Sequence, residues 1–255
     1  MQKQSLKSQV RAGGTSIGTW VYIAHPDVSE MLALQGLDWL LFDMEHGPIT
    51  IETLQRLMQP MNGSPTAAIV RVPWEQPGLV GQVLDCGAEG IVFPMINDRA
   101  QAEAAVAACR YPPHGKRGMG PRRCTAYGRD QDEYLESGHQ QLLIAVQIET
   151  TEAVAQIGQI LSVEGVDAAL IGPGDLSADM GCHLEFDHSE FVRALQTVLD
   201  ACQRHNVIPG IAYAADADAA ARYLSQGFRF IGVGTDDDFL IRGVRSVVAT
   251  LKERK

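Results

Sequence analysis

Long apolar runs are missing from this 255-residue chain. No window approaches the roughly 18 consecutive apolar residues that a membrane-spanning helix needs. Cysteine is sparse and scattered. Cys86, Cys109, Cys124, Cys182 and Cys202 form no C-x-x-C pair, which argues against a cysteine-bound zinc and against a disulfide framework. Positive charge is in deficit: 21 Lys plus Arg stand against 31 Asp plus Glu, a formal charge of −10 that opposes binding to phosphate backbones or anionic lipid. No proline- or serine-rich stretch marks a linker, so residues 1–255 read as a single domain. The opening MQKQSLKSQVRAGG is polar and lacks the apolar centre of a signal peptide, which predicts a cytoplasmic protein.

What is present is one pattern, repeated. Short apolar, β-branched runs begin at Thr15, Asp38, Ala67, Gly90, Leu142, Asp167, Val207 and Phe228. Between them lie stretches with helical spacing: 27–34, 51–58, 78–84, 100–108, 152–161, 189–205 and 216–226, with 241–255 at the end. Eight strand–helix units in about 250 residues predict an α/β fold of the (β/α)8 TIM-barrel type. A doubly wound open sheet is the rival arrangement. One segment breaks the rhythm. Residues 111–134 are rich in Pro, Gly and Arg, and a loop of that length is expected near the active site or at a subunit contact.

Barrel enzymes place their chemistry at the C-terminal ends of the strands. There the sequence reads Asp43-Met44-Glu45-His46-Gly47-Pro48, Arg71-Val72-Pro73, Gln147-Ile148-Glu149 and Gly172-Pro173-Gly174-Asp175. Glu149 and Asp175 come from adjacent strands and could share Mg2+ or Mn2+, which prefer oxygen ligands. Pairing of Glu149 with an arginine is the plainer alternative. His46 with Asp43 three residues earlier suits a general base and its orienting carboxylate, or an imidazole that merely satisfies a turn. Arg71 at a barrel mouth needs an anion, from the protein or from a substrate. The Gly172-Pro173-Gly174 turn offers backbone N–H groups to a carboxylate. Asp236-Asp237-Asp238 reads as a solvated turn capping the last helix, with a second metal site as the other possibility. The lysines Lys3, Lys7, Lys116, Lys252 and Lys255 lie in the termini or the long loop. None sits where a Schiff base would be needed.

Taken in order, GLDWLLFDMEHGP, VRVPWEQPGLVGQVLDCGAEGIVFPMI, ACRYPPHGKRGMGPRR, AVQIET and GVDAALIGPGDLSADMG span nearly the whole chain. In these motifs the protein resembles the metal-dependent class II pyruvate aldolases of the phosphoenolpyruvate/pyruvate barrel superfamily. Those enzymes cleave 2-keto-3-deoxy sugar acids and 4-hydroxy-2-oxo diacids. The resemblance implies His46 as base with Asp43 as its partner, and Arg71 as the enolate-stabilising arginine. It implies Glu149 and Asp175 as ligands of Mg2+, Mn2+ or Co2+, Gln147 beside the pyruvyl group, and backbone donors at Gly174 for the substrate carboxylate. Asp85 matches an aspartate near the base that can come from a neighbouring subunit. A homo-hexamer built as a trimer of dimers, with the last helix exchanged between subunits, is also implied. Gly174 and Ala212 depart from the commoner residues of relatives, and with the pocket residue Trp20 they bear on aldehyde specificity. Alternatives on the same barrel are a lyase acting on malyl- or citramalyl-type acyl-CoA thioesters, a metal-free phosphate-binding barrel, and a protein that binds a keto acid without catalysis.

Overall fold

Strands that must be buried on both faces need two kinds of neighbour, and this chain supplies them by alternation. In the computed structural model, which describes residues 5–73 and 77–253, all eight expected strands form. They are β1 (Ser16–Val21), β2 (Trp39–Asp43), β3 (Ala67–Arg71), β4 (Gly90–Phe93), β5 (Leu143–Ile148), β6 (Ala168–Ile171), β7 (Ile208–Ala214) and β8 (Phe230–Thr235). Each pairs in parallel with the next, and β8 returns to β1, so the sheet closes into a barrel. The open-sheet rival is excluded. Lys3 and Lys255, with Trp74, Glu75 and Gln76 of the strand-three motif, lie outside the described residues.

Period-two alternation divides each strand's side chains. Leu40, Phe42, Val70, Ile91, Val146, Ile148 and Ile171 point outward into the layer beneath the helices. Trp39, Leu41, Ile69, Val92, Leu143, Leu170 and Phe230 fill the interior, where Trp39 and Phe230 stack with ring centres 4.6 Å apart. The lower interior is therefore packed apolar matter, and polar groups have room only at its mouth.

The helices are α1 (Leu6–Arg11), α2 (Pro26–Ala33), α3 (Ile51–Met58), α4 (Pro77–Asp85) and α5 (Arg99–Cys109), then the short α6 (Gln131–Glu133) and α7 (His139–Gln141). They continue with α8 (Thr151–Ala155), α9 (Ile157–Leu161), α10 (Pro173–Asp179), α11 (Ser189–His205), α12 (Ala217–Gln226) and α13 (Asp236–Glu253). The helix expected over 152–161 divides at Gln156. No periodicity announces α1, because one turn carries only Leu6 and Val10. Both are buried against the barrel interior, while Lys7 and Arg11 reach the buried Asp167 carboxylate at 3.0 and 2.6 Å.

The placement of the long loop near the active site and the solvated turn at 236–238 are both corrected. Residues 110–142 join the end of α5 to the start of β5, so the long loop lies on the N-terminal face, opposite the barrel's own mouth. Three of its arginines are taken up locally: Arg117 by Asp85, Arg129 by Asp130, and Arg123 by the carbonyls of Cys86 and Met58. The acidic run 236–238 is not a solvated turn. It forms the first turn of α13, where negative charge suits the helix dipole. Asp236 is buried and accepts the N–H groups of Tyr22 and Ile23. Beyond it α13 presents Leu240, Val244, Val247 and Leu251 to solvent, all more than half exposed. Among the described residues, no helix is long and apolar enough to cross a membrane.

Candidate functional site

The mouth is organised around a buried ion pair. Asp43 ends β2 and Arg71 ends β3, and the parallel register sets them side by side. Arg71 Nε donates to Asp43 Oδ1 at 2.9 Å and Nη2 to Oδ2 at 2.6 Å, a two-bond fork with both residues buried. Trp20 of β1 lies flat beneath the guanidinium, 4.4 Å from its Cζ, and donates its indole N–H to the carbonyl of Ala212 on β7. Burial works against the charge on Arg71, but the hydrogen bonds and charge of Asp43 outweigh it and raise its pKa. Arg71 Nη1 makes no hydrogen bond among the described residues, so one edge of the fork is left for a ligand. Trp20 and Ala212 are nearly fully buried and form the floor of the site rather than its wall.

Asp43 also orders the turn that follows it. Its Oδ1 accepts the backbone N–H groups of Glu45 and His46 at 3.0 and 3.4 Å. The expected side-chain dyad between Asp43 and His46 is not formed, because Arg71 occupies the carboxylate. The imidazole stands at the rim with its side chain 67% exposed, and its nearest carboxylate is Glu45, 4.0 Å from Nε2. Glu45 is the residue that motif reading passed over. Period two places it on the same side as Asp43, and its Oε2 lies 3.2 Å from Arg71 Nε. Burial raises the Glu45 carboxyl, opposed by Arg71 and His46 and reinforced by Asp43 and Asp175. The same alternation from Trp20 delivers Tyr22, whose ring lies parallel to the indole at 6.3 Å and whose phenol is raised by burial and by Asp43.

Across the mouth, Gln147 and Glu149 project inward from β5 as expected. Glu149 is buried; its Oε2 accepts Met95 N–H at 3.0 Å and its Oε1 accepts the Gln147 amide. Burial pushes the Glu149 carboxyl up to about 7, and the neighbouring Asp175 adds to the rise. Asp175 is exposed in the first turn of α10, beside Gly174, where backbone N–H groups have no intrahelical acceptor.

These residues fit a divalent cation on two structural grounds. Gln147 Oε1 is buried with no donor, so the site has acceptor capacity that the chain does not fill. Gly172 is a glycine of necessity: a Cβ there would stand 2.5 Å from Glu149 Oε1, in the space the carboxylate uses. Among the described residues no group of three or more His, Cys, Asp or Glu is disposed to hold a metal ion. Two carboxylates with the remaining positions open suit a hard cation that keeps water and substrate as ligands. Asp85 is not in this mouth. It ends α4 on the opposite face, bound to Arg117. Lys7 and Lys116 are also remote from the mouth, Lys7 on Asp167 and Lys116 in the long loop.

A closed eight-stranded barrel with a buried arginine fork and the carboxylates of Glu149 and Asp175 at its C-terminal mouth has the layout of a barrel enzyme. Comparison with known proteins narrows the class. The HpcH/HpaI aldolase/citrate lyase family model matches residues 16–243, and the chain belongs to that family. It is 38% identical to a 4-hydroxy-2-oxo-heptane-1,7-dioate aldolase of Salmonella dublin, over 99% of this chain and 96% of the relative. A solved HpcH/HpaI family protein of Burkholderia cenocepacia J2315 superposes with a TM-score of 0.92 at 32% identity, covering 98% of this chain and 99% of that one. A solved citrate synthase superposes with a TM-score of 0.88 at 27% identity, covering 98% of each chain.

Proposed function

We propose that this protein is a divalent-metal-dependent aldolase that reversibly cleaves a 4-hydroxy-2-oxo acid to pyruvate and an aldehyde. The observation that carries the reading is the buried Glu149 carboxylate beside the unfilled Gln147 Oε1, in space that Gly172 leaves clear, with Asp175 near enough to raise the Glu149 carboxyl further. Glu149 and Asp175 would hold Mg2+, Mn2+ or Co2+. When bound, the cation supplies Lewis-acid polarisation of the 2-oxo acid.

The chain's own groups then have defined tasks. Arg71, fixed by Asp43 and Trp20, offers its free Nη1 edge to the oxygen that becomes negative as the C3–C4 bond breaks. His46, exposed at the rim, takes the C4 hydroxyl proton. The C3–C4 electron pair passes into the three-carbon enolate as the aldehyde departs, and protonation at C3 completes pyruvate. Gln147 and the Gly174 turn orient the carboxylate end. Buried Trp20 and Ala212 exclude water from beneath the reacting atoms. Asp85, remote from its own mouth, would act beside His46 of a neighbouring copy, in the homo-hexamer with exchanged last helices that the resemblance implies. The apolar row on α13 supports such an exchange, because one copy leaves it uncovered.

Pyruvate release from 4-hydroxy-2-oxoheptanedioate, followed by coupled lactate dehydrogenase, tests the reading. Activity should vanish in EDTA and return with Mn2+ or Mg2+. Borohydride reduction in the presence of pyruvate should leave the protein unlabelled. The citrate synthase similarity favours one second reading, carbon–carbon chemistry on an acyl-CoA thioester. Saturable turnover of such a thioester, with no pyruvate formed from any hydroxy-oxo acid, would support it instead.

A further inference from the structure

The N-terminal face holds an arrangement that stability alone does not account for. Asp85 closes α4, where the helix dipole disfavours a carboxylate. Its Oδ1 is gripped by Arg117 Nη2 at 2.6 Å. Its Oδ2 accepts no hydrogen bond among the described residues and faces Gly120, whose missing Cβ would lie 3.6 Å away. Arg117 is itself 5% exposed. Its Cζ lies over the Tyr111 ring, 4.5 Å from the centroid, and over the Tyr134 ring at 5.6 Å, and its Nη1 donates to the Tyr134 hydroxyl at 3.0 Å. Its backbone N–H is tied to the Arg110 carbonyl, and the preceding Lys116 N–H to that of Ala107, which fastens the loop to the end of α5. Yet Arg117 Nε is buried with no partner. A buried cation with an unused donor costs the fold stability relative to a satisfied one. Folds keep such violations where a group must be held for use.

We propose that Arg117, caged by Tyr111 and Tyr134, is the positioning residue of Asp85. It fixes the carboxylate in one rotamer and turns Oδ2 outward toward the mouth of a second copy. The inference rests on the reading of Asp85 as a group that serves a neighbour's His46. The grip explains why the long Arg-rich segment lies on the face opposite its own mouth. It builds a presenting surface there instead. A cavity of about 640 Å3 beside Glu89, Arg117, Cys124 and Tyr134 leaves the cage open on one side, so its rigidity comes from the ring contacts and the Asp85 fork.

The test is a double-mutant cycle on the full-length, metal-loaded enzyme, read as kcat and KM for 4-hydroxy-2-oxoheptanedioate cleavage, with the assembly's mass measured alongside. Arg117→Lys keeps the charge but loses the fork and the flat ring contact. It should lower kcat by about 10- to 100-fold with KM changed by no more than about threefold. Asp85→Asn should do at least as much, and the double variant should be no worse than Asp85→Asn alone. Tyr134→Phe removes one hydrogen bond to Arg117. It should give a smaller kcat loss that disappears in the Asp85→Asn background, and it stands in if Arg117→Lys fails to assemble. A wild-type kcat in Arg117→Lys beside an impaired Asp85→Asn overturns the inference and leaves the Asp85 reading intact. Losses that add in the double variant also overturn it. A wild-type kcat in Asp85→Asn overturns the Asp85 reading and the inference together.

Discussion

Gly172 and Glu149 occupy complementary space: the carboxylate of one fills the volume where a side chain on the other would begin. A Cβ at 172 would stand 2.5 Å from Glu149 Oε1 and 2.8 Å from its Cγ, closer than real side chains approach. Gly172 lies just past β6, so a backbone choice on one strand sets the pose of a carboxylate on the next. Gly172→Ala should therefore fold but displace Glu149. Calorimetric titration with Mn2+ should show affinity reduced about 10-fold or more, as for lost supporting contacts around a metal ligand. Unchanged affinity would detach Gly172 from the metal site.

The Asp43–Arg71 pair makes a second, separable prediction. Asp43→Ala leaves a buried guanidinium without its anion and should lower unfolding free energy by about 3–5 kcal/mol in urea denaturation. Arg71→Lys should affect stability less and turnover more, because a point charge can still meet Asp43 but cannot reproduce the planar fork. Near-normal kcat in Arg71→Lys would remove Arg71 from the chemistry.

The Glu149 carboxyl, raised by burial and by Asp175, gives a pH dependence whose sign can be worked out. Its pKa is about 7 in the folded, metal-free protein, against an ordinary value of 4.5. In that protein Glu149 favours the fold most below the ordinary value, and the contribution fades as pH rises through 7. A cation must displace the proton, so metal affinity should fall as pH drops through about 7. The rise in melting temperature on adding Mn2+ should accordingly be larger at pH 8 than at pH 6. An equal rise at both would place the metal elsewhere.

Leu240, Val244, Val247 and Leu251 recur at the spacing of one helical face, all exposed in a single copy. Replacing Val244 and Val247 together with Glu should lower the assembly's mass in sedimentation velocity, since two charges cannot enter an apolar contact. An unchanged mass would mean this face is not an interface.

Much of this was legible in the sequence, for identifiable reasons. The eight strands were readable because each has to be apolar on both faces, and the mouth residues because Asp43, Arg71, Glu149 and Asp175 end otherwise apolar runs. Glu45 and Tyr22 were equally available through period two, from Asp43 and Trp20, but a motif reading stops at the expected partner. What the sequence could not show was competition. Asp43 can serve Arg71 or the His46 imidazole, and only the register of β2 on β3 decides for Arg71. The side of the barrel on which the long segment falls follows from its place between a helix and a strand, which local composition does not reveal. α1 escaped because a single turn owes its existence to the barrel floor it covers.

Everything proposed for this mouth requires that it make a pyruvate enolate with the help of a cation. Exchange of the pyruvate methyl protons into deuterated water, followed by NMR with metal-free protein and then with Mg2+, Mn2+ or Co2+, tests it without knowledge of the aldehyde. Exchange should depend on added metal and be lost in Glu149→Gln. Folded protein that binds pyruvate yet exchanges no protons with any of these metals would contradict it.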